Sequence, residues 1–95
     1  MSDREPDPSL EVPEGWAVVG HALRKEFVFA DFAEAWAFMT RVAAEAERLD
    51  HHPDWSNSWN RVIIELTSHD VDRLTSRDAR LAAAIDACVA PSPAA

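Results

Sequence analysis

Three of the four histidines stand close to acids. His51 and His52 lie in Glu47-Arg48-Leu49-Asp50-His51-His52-Pro53-Asp54-Trp55, and His69 lies in Ser68-His69-Asp70, shortly before Ser76-Arg77-Asp78. Imidazole is the side chain whose ordinary pKa lies nearest neutrality, so histidines gathered about carboxylates suggest proton transfer to and from a bound molecule. A zinc ion held by His51, His52 and His69 with a water is the competing chemistry. Adjacent residues point about 100° apart on a helix and to opposite faces on a strand, so His51 and His52 suit two sides of an organic ligand better than one coordination sphere. His21, beside Gly20, stands apart and reads as a solvated turn residue.

The elements that must position these groups are legible in the hydrophobic spacing. Trp16 to Val19 and Leu23 to Phe29 are β-prone runs separated by Gly20-His21, which predicts a hairpin. Asp31 with Glu34 three residues on can cap a helix, and Phe32, Ala35, Trp36, Met39, Val42, Ala43, Ala46 and Leu49 recur at three- and four-residue spacing. The spacing predicts a helix from about Phe32 to Leu49. Pro53 disfavours helical geometry at His52, which puts the histidine pair where this helix gives way to a strand. Asp50 would then sit at a helix C-terminus, where the dipole disfavours an acid, and this marks it as a candidate partner of the histidines.

Trp55 to Trp59, a turn near Asn60-Arg61 and Val62 to Leu66 predict a second hairpin ending just before His69. Thr75 with Asp78 resembles a capping arrangement for a last helix carrying Leu81, Ala82, Ile85 and Val89 inward. The order ββαββα implies an α+β fold, a four-stranded antiparallel sheet of two hairpins with helices packed on one face. Trp36 and Trp59 match the apolar periodicities and read as core or sheet-face residues. Cys88 reads as a packing residue, since no cation near it in sequence would activate its thiol.

At 95 residues the chain suits one small domain, and 47% hydrophobic residues with four Trp and four Phe leave apolar area for self-association. Residues 1–14, with Pro6, Pro8 and Pro13 and five acids against Arg4 alone, predict a flexible acidic leader. A single domain is expected over residues 15–90 and a disordered Pro-containing tail over 91–95. The net charge of −8 argues against unaided binding to nucleic-acid phosphates or anionic lipid. One cysteine and the lack of a signal-like or membrane-spanning run make the cytoplasm the expected compartment. With Gly15 and Gly20 as the only glycines, a Gly-rich phosphate loop is excluded.

An acid, three residues, His-His-Pro, then an aromatic, a downstream His and a later Asp are filled by Glu47, His51, His52, Pro53, Trp59, His69 and Asp78. On this pattern the chain resembles the pterin-4a-carbinolamine dehydratase family, and the likeness runs from about Trp16 to Val89. The resemblance implies dehydration of a 4a-hydroxytetrahydropterin to the quinonoid dihydropterin in tetrahydropterin recycling, with no cofactor and no metal. His51, His52 and His69 would be the acid–base groups, with acid and base unassigned among them, and Glu47 and Asp78 would orient histidines or stabilise imidazolium. Asp50, Thr67 and Ser68 would line the pterin site, and Trp16, in a Gly-Trp pair, is either pocket wall or core.

The family also implies a homo-dimer or tetramer and, as a pathway partner, an aromatic amino-acid hydroxylase. A non-catalytic scaffold or assembly role on the same fold is the alternative, because some members partner a homeodomain transcription factor or assist a carbon-fixing enzyme. The intact acid–base pattern favours the enzyme. Members carry a helix before the first strand, and the Pro-broken residues 1–14 predict that it is shortened or absent here.

Overall fold

Hydrophobic alternation over two residues marks the strands, and the three- and four-residue repeat marks the helices. The computed structural model describes residues 10–71 and 73–89. β1 (Ala17–Val19) and β2 (Ala22–Val28) form the first hairpin, followed by α1 (Phe32–Leu49). β3 (Asp54–Ser58) and β4 (Arg61–Leu66) form the second, followed by α2 (Ser76–Ala87). All pairings are antiparallel in the order β1-β2-β4-β3, so the two hairpins join through β2 and β4, with Leu23 opposite Leu66 and Phe27 opposite Val62. This is the expected α+β, ββαββα architecture. The leader expected over residues 1–14 lies mostly, and the tail over 91–95 wholly, outside the described residues; Leu10 to Pro13 carry no helix.

One sheet face and both helices enclose the core. Leu23, Val62, Ile64 and Leu66 alternate inward and are fully buried, against Ala35, Phe38 and Val42 of α1 and Leu81, Ala82 and Ile85 of α2. The opposite sheet face carries Arg24 beside Glu65 and Glu26 beside Arg61, cross-strand ion pairs at 3.4 Å each. Asp31 starts α1 as expected, its Oδ1 accepting the Glu34 N–H at 2.8 Å while Glu34 Oε1 accepts the Ala30 N–H at 3.2 Å.

The inward stripe of α1 differs from the predicted one. Ala35, Phe38, Val42 and Ala46 are its buried residues, whereas Trp36 is 58% exposed and stacks on exposed Phe32 with centroids 6.3 Å apart. The helix is apolar around more than one face, so periodicity alone admits two stripes. Phe38 wins because its ring meets Phe27 and Phe29 at 4.8 and 4.9 Å, contacts made only once β2 is in place.

Trp59 is the second correction. Ser58 pairs with Arg61, so the tight turn is Trp59-Asn60, one residue earlier than expected, and Trp59 sits in it with φ 52° and its side chain exposed. Val89, expected inward, lies beyond the end of α2 and is exposed. Cys88 is buried as expected, and burial pushes its thiol pKa up.

Phe38→Ala removes the largest fully buried side chain. It should lower unfolding stability by about 3–5 kcal/mol, read from urea denaturation followed by Trp fluorescence.

Candidate active site

The end of α1 decides where the histidines point. Asp50 takes left-handed backbone (φ 52°, ψ 43°), a conformation that Asp tolerates better than most residues. Its N–H donates to Glu47 O at 3.2 Å and the His51 N–H donates to Ala46 O at 3.1 Å, the paired closure that turns a chain off a helix axis. Pro53 then keeps His52 extended. The reversal sends His51 inward and His52 outward.

The buried branch is built on Asp78. This carboxylate is fully buried; its Oδ1 takes the His51 Nε2 at 2.6 Å, and its Oδ2 accepts Ser68 Oγ at 2.9 Å and the Thr75 N–H at 2.9 Å. Thr75 Oγ1 lies 2.7 Å from Ser68 Oγ and accepts the Arg77 N–H, so the capping box of α2 is also the anchor of His51.

The exposed branch consists of side-chain pairs. His52 Nε2 meets Glu47 Oε1 at 2.7 Å, and His69 Nε2 meets Asp54 Oδ2 at 3.0 Å. Arg77 donates to Asp70 Oδ1 at 2.6 Å. The hydrogen bond from Arg77 holds the Asp70 carboxyl below the usual carboxylate range and raises the guanidinium in turn, so the pair persists at neutral pH and is lost only as Asp70 takes up a proton in acid.

These branches meet at an open cleft of about 350 Å³ lined by Asp50, His51, His52, His69, Asp70 and Arg77. The volume is in the range of small-molecule sites. Two histidines open to the cleft, each tied to a carboxylate by one ring nitrogen, leave the other nitrogen of each ring for a bound molecule, an arrangement suited to giving a proton and taking one. Among the described residues no three His, Cys, Asp or Glu side chains converge as metal ligands would.

Of the residues singled out in the sequence, the fold gathers His51, His52, His69 and Asp50 around the cleft, with Glu47 and Asp78 each bonded to one histidine. Ser68 stands behind it, fully buried on Asp78, and the Thr67 hydroxyl is buried with no hydrogen-bond partner among the described residues. Trp16 does not line the cleft. Its indole packs edge-on against Phe27 with centroids 6.0 Å apart and donates to Asp86 Oδ2 at 3.0 Å. Asp54, Asp70 and Arg77 were not foreseen at the site. Arg77 had a readable signal, a cation in the first turn of a helix, where the dipole disfavours it.

A family model described as pterin 4 alpha carbinolamine dehydratase matches residues 1–88. The chain belongs to that family. A relative from Novosphingobium aromaticivorans, assigned to the pterin-4-alpha-carbinolamine dehydratases, is 51% identical over 89 residues, covering 90% of this chain and 92% of its own. One from Solibacter usitatus is 43% identical over 90 residues, 95% of each chain. Among solved structures, a transcriptional coactivator/pterin dehydratase from Brucella melitensis superposes with a TM-score of 0.78 at 38% identity, over 81% of this chain and 84% of that one. A pterin dehydratase-like protein identified as a RuBisCO assembly factor in the alpha-carboxysome superposes with a TM-score of 0.71 at 26% identity, over 86% and 98%.

In this pterin dehydratase family member, Asp78→Ala strips the acceptor from His51, Ser68 and the Thr75 N–H together. It should cost about 3 kcal/mol or more, because buried donors are left unpaired and a helix cap is lost. Thermal and urea unfolding of the variant beside wild type measure it.

Proposed function

We propose that the protein dehydrates a 4a-hydroxytetrahydropterin to the quinonoid dihydropterin, a step of tetrahydropterin recycling. The observation that carries the reading is the pair of exposed histidines, His52 and His69, bonded by Nε2 to Glu47 and Asp54 and facing one cleft. In the reaction an imidazolium protonates the 4a-hydroxyl as the C4a–O bond breaks, and a neutral imidazole takes the proton from N5 as the C4a=N5 bond forms; water leaves. His52 and His69 carry these transfers, and His51, fixed on Asp78, holds the floor of the site. Asp50 at the rim is a pterin contact, with Thr67 and Ser68 supporting the same wall. The chemistry is loss of water, with no change of oxidation state, and needs neither a redox cofactor nor a metal.

The physiological setting that follows is cytoplasmic, in company with an aromatic amino-acid hydroxylase. No helix among the described residues is long and apolar enough to cross a membrane. The likeness to a RuBisCO assembly factor supports an assembly role as the second reading. The histidine–carboxylate pairs favour the enzyme, since a scaffold has no chemical use for them.

His52→Ala or His69→Ala should lower the dehydration rate by about 10²–10⁴ with the fold intact, whereas His21→Ala should leave it unchanged. Chelator-treated wild type should keep its rate. Stopped-flow assay of a 4a-hydroxytetrahydropterin above the uncatalysed background checks this, and unchanged rates in both variants would refute the enzyme reading. A chelator-sensitive rate restored by zinc would replace it with metal chemistry.

Self-association belongs to the same reading. Phe32 and Trp36 on the outer face of α1 are exposed, and the outer edges of β1 and β3 pair with no other strand among the described residues. Light scattering at micromolar concentration should return a dimer or tetramer mass, and a stable monomer would overturn the expectation.

A further inference from the structure

The turn that carries His69 is held at its base and at its tip by the same helix terminus. At the base, Ser68 and Arg73 form an isolated antiparallel bridge, with the Ser68 N–H donating to Arg73 O at 3.2 Å, and Ser68 Oγ donates to Asp78. The Val71 N–H closes on Ser68 O at 3.1 Å, so His69 and Asp70 are the two central residues of a four-residue turn. At the tip, Asp70 is tied to Arg77 at 2.6 Å, and His69 reaches Asp54. Arg77 and Asp78 are consecutive in the first turn of α2, which is capped by Thr75.

Helix stability does not account for Arg77, because a cation in the first turn opposes the helix dipole. Global stability does not account for it either, since an exposed ion pair contributes little to folding. Position does: displacement of a reacting group by about 1 Å can cost on the order of a hundredfold in rate.

We propose that Arg77 is a positioning residue which, through Asp70, holds the tip of the Ser68–Val71 turn against α2 and thereby sets where the His69 imidazole stands in the cleft. The inference rests on the reading of His69 as a proton-transfer group. Its test uses Arg77→Ala, Asp70→Ala, the double variant and Arg77→Lys.

In ligand-free protein, imidazole NMR signals assigned with His52→Ala and His69→Ala should show the His69 ring moved in Arg77→Ala and Asp70→Ala and the His52 ring unmoved, with the melting temperature unchanged. In the dehydration assay each single variant should lose about ten- to a hundredfold in kcat at constant KM. The double variant should be no worse than either single one, because the two residues act as one unit, and Arg77→Lys should recover part of the loss. Unmoved His69 signals would overturn the proposal. So would multiplied losses in the double variant, or a rise in KM at constant kcat, which would make Arg77 a substrate contact. An inactive wild type would remove the dehydratase reading, while the NMR comparison would still decide whether Arg77 places His69.

Discussion

The site depends on one buried carboxylate. Asp78 has no exposed surface, and an unpaired charge in that position would cost several kcal/mol, so its three donors are a requirement of the fold. Those donors come from separate segments: His51 from the connection after α1, Ser68 from the end of β4, and Thr75 from the start of α2. Satisfying one charge therefore brings together the chain segments that carry His52 and His69. The side chain that caps α2 also assembles the cleft.

The two kinds of histidine pair play different physical parts. His51 with Asp78 is buried and shares its carboxylate with Ser68 and Thr75, whereas His52 with Glu47 and His69 with Asp54 stand in solvent, where an ion pair adds little to stability. Solvent-facing rings remain free to exchange protons and to meet a ligand. The backbone beneath them is constrained by the left-handed Asp50, by Pro53 and by the Ser68–Arg73 bridge.

The sequence carried the element types because each rests on local physics. Asp31 and Thr75 mark helix starts by side chains that reach their own backbone, and both do so here. Val62, Ile64 and Leu66 alternate with Arg61, Ile63 and Glu65 and sort to the two faces of β4 as a period of two requires. Where the pattern was ambiguous it misled. Trp36 and Phe38 are both large and aromatic on one helix, and only the rings of Phe27 and Phe29 select Phe38. Trp59 fits a core or sheet-face position by periodicity, but the pairing of Ser58 with Arg61 puts it in the turn.

The site divides along the same line. Residue types and spacing set three histidines among carboxylates, which suggests acid–base chemistry whatever the backbone does, and the resemblance to the pterin dehydratase family joined His51, His52, His69, Glu47 and Asp78 in one pattern. Which acid serves which histidine was decided by tertiary structure. Asp54 reaches His69 across 15 residues and Asp78 reaches His51 across 27, distances in sequence that no local rule spans. The burial of Trp16 on Asp86, 70 residues away, was settled in the same way: the residue just before β1 meets α2 only once the sheet and helices have assembled.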